Sequence, residues 1–468
     1  MKLIIIGGGI AGLSAAYHAQ KKHPELEIIL LEADSHWGGK IITDRVDGFV
    51  IEGGPDTFLA TKTWGVELCK ELGLSERLHG TNPKAKNTYV LHKDRLESLP
   101  DGLAMMIPGK VMPMLTTRLL NWFQKIRVGL DFLLPIKKGN DDESLGAFVS
   151  RRMGRAAYEN LIEPLMSGIY AGDGDKLSLQ STFPFLRDFE RKYGSLALGA
   201  MTMYRARVKS QKNTGSRSVF LTPTTGLAEM VEALVAILEE KNVGMRLNTR
   251  VEKLESMKVE TLESSNLQTF KQLNLTLEDG SNLEADALIL ATPAYATGKL
   301  LESHAPELAT VLQDIPYVST ATISLAYKLT DLQRPLDGYG YVIPRREGRR
   351  ALACTWTSTK FPHRAPEGHA LLRVFVGRAG QEDDIPWDEV SLLGIAREEL
   401  ELTLGITADP LVSRVFIWEK AMPQYNLGHP EKLKLIKSTL EKMPNVALAG
   451  NGYSGIGIPD CIHSGELA

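Results

Sequence analysis

Hydrophobic and polar positions follow two periods along this chain, and the changes between them mark its elements. Leu3 to Ile6 is a short unbroken apolar run, followed by Gly7-Gly8-Gly9 and then by a helical pattern from Ile10. A second apolar run, Glu27 to Leu31, ends in Glu32. Runs of this kind predict strands buried on both faces, and strand, helix, strand in that order predicts a parallel α/β unit. Ile41 to Thr43 and Phe49 to Glu52 are strand-like, and a helix from about Thr63 to Leu72 stops at Gly73. Residues 81 to 100 predict a hairpin with a strand at Thr88 to Leu91.

From Asp101 to Leu179 the pattern is helical. Thr117 to Ile136 interleaves Arg118, Lys125 and Arg127 with Leu119, Trp122, Phe123, Ile126 and Leu133. The expectation is a helical subdomain packing on its own core; a helix resting on a membrane surface, or admitting an apolar substrate, is the alternative. Ser144 opens a further helix, and the Pro and Gly residues of Leu161 to Ser178 predict a loop between helices. A helix at Leu227 to Lys241 leads to a strand at Val243 to Arg246. Residues 252 to 286 read as an antiparallel excursion, alternating over Leu273 to Leu277, and Ala285 to Pro293 as a buried strand. Alternation at Thr320 to Leu325, Gly340 to Ile343, Ala351 to Trp356 and Leu371 to Val376 predicts an antiparallel sheet. Near the C-terminus a strand ends at Gly450, a glycine-rich loop follows, and Pro459 begins a helix.

The chemistry gathers at the glycines. Gly7, Gly9 and Gly12 stand as G-x-G-x-x-G between a strand and a helix. The first permits a tight turn, the second lets backbone approach a pyrophosphate, and the third lets the helix pack on its strand. The helix start adds free N–H groups and a positive dipole end. Glu32 lies about twenty residues beyond, where an acid accepts from ribose hydroxyls. NAD and FAD both suit this unit; Gly38-Gly39, bringing more backbone close, favours FAD. Lys40 is a candidate phosphate contact or a solvated lysine, and Lys62 a candidate carboxylate binder or a surface charge. Gly53 to Thr57 again bring backbone near a ligand, with Thr57 a candidate flavin contact. Trp418 and Tyr425 are core aromatics or flank a planar ring. Arg345 to Arg350 read as a solvated hairpin loop, with carboxylate capture as the alternative; His363 and His369 read as surface or loop histidines.

Composition narrows the choice. A chain of 468 residues is expected to form two or more domains. A net charge of −3 gives no reason to expect nucleic acid. Cys69, Cys354 and Cys461 are far apart, with neither metal nor disulfide spacing, which fits a reducing cytoplasm. No apolar run approaches the roughly 18 residues that span a bilayer, and the N-terminus carries no secretory signal.

Several blocks carry a closer likeness: EGGPDTF (Glu52 to Phe58), LIEPLMSGIYAGDGDKLS (Leu161 to Ser178), CTWT (Cys354 to Thr357), APEG (Ala365 to Gly368), MPQYNLGH (Met422 to His429) and GIGIPDCI (Gly455 to Ile462). In these, over nearly its whole length, the chain resembles the porphyrinogen oxidases of haem synthesis, within the flavin amine oxidase superfamily, and most of all their soluble Gram-positive branch. The resemblance implies an α/β fold with a Rossmann-like, p-hydroxybenzoate hydroxylase-type FAD-binding domain (1–80, 215–292 and 412–468). It implies an antiparallel substrate-binding domain (81–90, 180–214 and 293–411) and a helical, membrane-domain-like insertion (91–179). It implies oxidation of coproporphyrinogen III with O2 as acceptor and H2O2 as product. Protoporphyrinogen IX, or the chemistry of another amine oxidase or desaturase, is the alternative; a flavin-free binding protein like the GDP-dissociation inhibitors is the rival from a different class.

Carried over by motif, the FAD contacts are Gly7, Gly8, Gly9, Ile10, Ala11, Gly12, Glu32, Ala33, Lys40, Gly54, Pro55, Asp56, Thr57, Val251 beside the adenine, Trp418, Ile456, Gly457 and Ile458. Lys62 matches a lysine near the substrate. Gly53 departs from the pattern, where an arginine is expected. No cysteine lies between Cys354 and Cys461, so the flavin is expected to be non-covalent. No general base is assigned. Contact with a ferrochelatase, oligomeric state and peripheral membrane contact are left open.

Overall fold

The computed structural model describes residues 1–85, 87–104, 106–214, 218–261 and 268–468. Strand Lys2–Ile6 lies at the centre of a five-stranded parallel sheet. The order is Gly244–Arg246, Glu27–Leu31, Lys2–Ile6, Ala287–Leu290 and Val446–Leu448. A strand in this position has no solvent face, which is why its sequence does not alternate. Leu3 and Ile5 pack with Leu13 and Ala16 of helix Ile10–Lys22 on one side. Ile4 and Ile6 pack with Leu254, Leu273 and Leu275 on the other. Those leucines belong to the excursion, a three-stranded antiparallel sheet of Val251–Thr261, Gln268–Leu277 and Asn282–Ala285. Residues 262–267 and the expected domain start at 215 lie outside the described residues.

Helix Ile458–Leu467 lies against helix Ile10–Lys22 so closely that a Cβ on Gly465 would stand 2.2 Å from the Ala11 carbonyl oxygen. The Ser14 hydroxyl donates to the Ile462 carbonyl at 2.8 Å across this contact. The first turns of helix Ile10–Lys22 are thereby fixed against the body of helix Ile458–Leu467.

The second sheet has seven strands in the order Val412–Pro423, Tyr317–Lys328, His369–Val376, Ala351–Trp356, Gly338–Val342, Asn87–His92 and Arg95–Ser98. Its pairs are antiparallel except for Gly338–Val342 with Asn87–His92. Helix Glu389–Leu404 covers one face with Leu392, Ile395 and Leu400. Strand Val412–Pro423 joins this sheet, not the parallel one that the expected boundary at 412 implied. Residues 91–98 join it too. The two-residue turn Lys93-Asp94, with φ of 52° and 58°, suits the twist of paired strands and closes the hairpin. Residues 180–214 contribute Leu186, Phe189 and Leu196 to the core of the helical unit, with Phe148, Leu161 and Met166, and not to the sheet.

Leu161 to Ser178 is not the loop expected. Helix Glu163–Tyr170 occupies its first half, directly after the wide turn Tyr158–Ile162. Pro164 sits in the first helical turn, where an absent N–H costs nothing, so it starts a helix and does not break one. The loop begins at Ala171, in left-handed conformation.

Thr117 to Ile136 also differs from expectation. Leu119 and Leu120 are buried, but on and beyond helix Trp122–Gly129 the residues Trp122, Ile126, Phe123 (85% exposed) and Leu133 (81%) face solvent. Polar anchors hold the helix in place: an Asn121–Gln124 capping box at its start, and Arg127 donating to the carbonyls of Ser150, Arg151 and Arg152.

Candidate functional site

The three motif glycines meet three different surroundings. Gly7 has φ of +107° and stands against the Ala291 carbonyl. A Cβ on Gly12 would lie 1.9 Å from the Gly7 carbonyl oxygen. A Cβ on Gly9 would meet no atom within 4 Å. Packing therefore demands the first and third glycines, whereas the second faces open space at the start of helix Ile10–Lys22, beside Ile10 and Ala11. That opening is what an approaching phosphate needs.

Glu32 closes the neighbouring strand. Its carboxylate accepts from the Gly8 N–H at 2.6 Å and the Asp34 N–H at 2.9 Å, next to Ala33. A carboxylate offers about four acceptor positions, so capacity remains for hydroxyls. The Glu32 carbonyl takes the Thr249 N–H at 2.8 Å, which brings Val251 to the same edge, buried. The Gly38 N–H donates to the Gly8 carbonyl at 2.8 Å, and a Cβ on Gly39 would stand 3.3 Å from the Gly9 Cα. The second glycine pair thus lines the first loop.

A third glycine presses on this pair of loops: a Cβ on Gly54 would fall 1.9 Å from the Lys40 carbonyl oxygen. Among the described residues, nothing donates to, accepts from or pairs with the Lys40 ammonium, and burial lowers its pKa. A part-buried cation without an acid partner fits an anionic ligand. Asp56, after Pro55, is already paired with Lys360 at 2.9 Å and receives the Thr57 hydroxyl at 3.1 Å. Burial would raise Asp56, but Lys360, Arg373 and Arg364 outweigh it and hold its pKa at about 2.

Gly53 is tightly enclosed, with the Phe416 ring 2.8 Å from where a Cβ would be, so an arginine would not fit. Its carbonyl accepts from Trp418 Nε1 at 2.9 Å, Thr322 Oγ1 at 2.7 Å and Arg373 Nη2 at 3.2 Å. The Arg373 guanidinium also donates to the Gly54 carbonyl. The cation at this point therefore comes from strand His369–Val376. Sequence reasoning missed Arg373; an arginine inside an apolar strand is the signal that marks it.

The C-terminal loop closes the site. The Gly455 N–H donates to the Tyr425 hydroxyl at 3.0 Å, and that hydroxyl to the Asn451 carbonyl at 2.6 Å. Tyr425 is a core aromatic, stacked on His429 at 4.3 Å. Ile456 and Gly457 lead into helix Ile458–Leu467. Asp460 in its first turn accepts the Gly457 N–H at 3.2 Å and binds Lys62 Nζ through both oxygens, at 2.6 and 2.7 Å. Cys461 is buried there, its thiol pushed up to about 12 by burial, and it lies close enough to Lys40, Asp460 and Lys62 to feel their charges.

Elsewhere, the arginine loop is engaged locally: Arg345 with the Ala379 carbonyl, Arg346 with His92, Arg349 with Asp94 and Arg350 with Glu398. His363 is a half-buried histidine in the short turn Pro362–Arg364. Its ring lies 4.5 Å from that of His79, and burial first, then Arg364, lowers its pKa to about 4.

A parallel sheet with a glycine turn at its first helix start, and a separate seven-stranded sheet, is the architecture of a nucleotide-cofactor oxidoreductase. Residues 10–468 match the family described as flavin containing amine oxidoreductase, and the chain belongs to that family of flavin-dependent enzymes. It is 39% identical over 472 residues to the coproporphyrinogen III oxidase of Bacillus subtilis (strain 168), covering 100% of this chain and 96% of the relative. It is 34% identical to the coproporphyrinogen III oxidase of Staphylococcus aureus (strain NCTC 8325 / PS 47), covering 99% and 97%. The mitochondrial protoporphyrinogen oxidase of Nicotiana tabacum stands at 25%, covering 99% and 93%. A crystal structure from Exiguobacterium sp. 255-15, provisionally named a protoporphyrinogen oxidase, superposes with a TM-score of 0.85 at 33% identity, covering 100% of this chain and 97% of that one.

Proposed function

We propose that this protein is an FAD-dependent oxidase that converts coproporphyrinogen III to coproporphyrin III, with O2 as acceptor and H2O2 as product, in haem synthesis. The observation that carries the reading is end-to-end similarity to coproporphyrinogen III oxidases at 33–39% identity, against 25–29% for the protoporphyrinogen oxidases.

The residues fit the cofactor. Gly7 to Gly12 and the helix start would hold the pyrophosphate, with Lys40 as its cation. Glu32 and Ala33 would hold the ribose, Val251 the adenine. Gly54 to Thr57, Trp418 and Ile456 to Ile458 would surround the flavin. Bound FAD supplies hydride acceptance and reoxidation by O2. The chain's own residues orient the substrate and exclude water, with Ile456 and Ile458 as the apolar wall and Lys62 as the cation for a propionate. Non-covalent binding is supported by the cysteines: burial holds the thiols of Cys69 and Cys461 at about 12, neutral and unreactive.

We assign the parallel sheet, its helices and the small antiparallel sheet to FAD. The seven-stranded sheet, including 87–98 and 412–423, is the substrate floor, and 101–214 the helical unit.

The test is porphyrin fluorescence growth in air, with coproporphyrinogen III and protoporphyrinogen IX in parallel. Faster turnover of the former is expected. Faster turnover of the latter overturns the substrate, and no turnover of either by flavin-loaded protein removes porphyrinogens altogether.

The exposed Trp122, Phe123, Ile126 and Leu133, with Lys125 and Arg118 beside them, support a helical face that rests on a membrane surface. Among the described residues, no helix is long and apolar enough to cross a membrane. Wild-type protein is expected to sediment with anionic vesicles and a Phe123→Ser/Ile126→Ser variant to stay in the supernatant; equal sedimentation of both would refute this face.

A further inference from the structure

Lys62 and Asp460 are 398 positions apart, yet their pairing is among the shortest ion pairs at the site. The two partners are unequal. Asp460 is nearly enclosed, its side chain 11% exposed, while that of Lys62 is 40% exposed. Asp460 is also fixed from behind: it accepts the Gly457 N–H and sits in the first turn of a helix, where the dipole favours a carboxylate. Lys62 carries four rotatable methylenes and has no other partner among the described residues. The rigid group therefore sets the place of the flexible one.

An ammonium has three donors. Two are directed to Asp460 Oδ1 and Oδ2, which leaves one. Asp460 follows the C-terminal glycine loop and lies near enough to Tyr170 of the helical unit to add to the rise that burial gives that phenol's pKa. Lys40 also lies near enough to Cys461 to act on its thiol. A lysine in this position, free of Asp460, would swing into solvent.

We infer that Asp460 is the positioning residue for Lys62: its anchored carboxylate holds the ammonium beside the C-terminal glycine loop with one N–H left for a substrate carboxylate. This rests on the function proposed above. The opposite role is a competitor that occupies Lys62 until a substrate carboxylate displaces it, and the two roles give opposite signs.

The experiment uses flavin-loaded protein in five forms: wild type, Asp460→Asn, Asp460→Glu, Lys62→Met, and Lys62→Met with Asp460→Asn. Asparagine keeps an acceptor for the Gly457 N–H and removes the charge. Asp460→Asn is expected to raise the KM for coproporphyrinogen III about tenfold, the effect of one misplaced charge-assisted bond, with a far smaller change in kcat. Asp460→Glu should recover part of the loss, and Asp460→Asn should add nothing in the Lys62→Met background. A KM that is unchanged or lowered, or an equal rise with and without Lys62, overturns the proposal. A fluorescence titration with the product coproporphyrin III reads the same cation without turnover. If the wild type turns over no porphyrinogen but binding still weakens in Asp460→Asn and not in the double variant, the function falls and the pairing stands. If binding is unaffected, the pairing falls too.

Discussion

Replacing Gly9 by valine is expected to give a folded protein that has lost its flavin. The native backbone at Gly9, with φ of −68° and ψ of 175°, is one that valine adopts without strain. Beyond its chain neighbours, no protein atom lies within 4 Å of the added Cβ, so the branch point of the new side chain has room. What it fills is the space through which, on the proposed function, a pyrophosphate would reach the helix N–H groups. Overpacking a close contact costs roughly 1–3 kcal/mol, or about ten- to a hundredfold in affinity. The purified variant should therefore show little flavin absorbance while its circular dichroism matches wild type. Its Tm should fall only by the lost contribution of the ligand. Gly12→Ala is the contrast: its Cβ would enter the Gly7 carbonyl, and that protein should fail at folding. Full flavin content in Gly9→Val would sink the assignment of this loop.

The largest stability loss is expected far from the flavin, at Asp131. This acid and Arg152 are both fully buried in the helical unit, and their pairing distance is 2.6 Å. Asp131 also takes the Ser195 hydroxyl at 2.6 Å and the Ala197 N–H at 2.9 Å. Arg152 spends its remaining donors on the carbonyls of Asp131, Leu134, Pro135 and Gly194. The pair ties the turn at 130–132 to helices Leu145–Met153 and Leu196–Thr214. Asp131→Ala removes the nearer of the two buried acids that face this guanidinium, leaving Glu190 at 3.6 Å, and strands the Ser195 hydroxyl and the Ala197 N–H, a loss of about 3–5 kcal/mol. Denaturant unfolding should show that loss, and Asp131→Ala with Arg152→Met should recover part of it, because the stranded charge is gone. A loss below about 1 kcal/mol in the single variant would mean that Glu190 or water satisfies the guanidinium in place of Asp131.

Much of the candidate cofactor site was legible in the sequence, because glycines answer local demands. Gly7 needs a positive φ, Gly12 a close helix, Gly9 an open approach, and each requirement shows in spacing along a few residues. The unbroken run Leu3 to Ile6 likewise carries its own evidence of burial on both faces. So does the hairpin around Lys93-Asp94, whose turn geometry sets its register.

Other features depend on which segments meet. Pattern shows that Trp122, Phe123 and Ile126 share an apolar stripe, but not whether anything covers it, and in the fold nothing within the described residues does. Pro164 reads as a breaker until the preceding wide turn places it in a first helical turn. Arg373 replaces the cation missing at position 53 from a strand 320 positions away. The Lys62–Asp460 pair spans 398 positions. Local conformation and solvent preference act over a few residues, so the chain alone determined its strands, turns and nucleotide glycines. Ion pairs and exposed faces need two distant segments brought together, and those the tertiary structure decided.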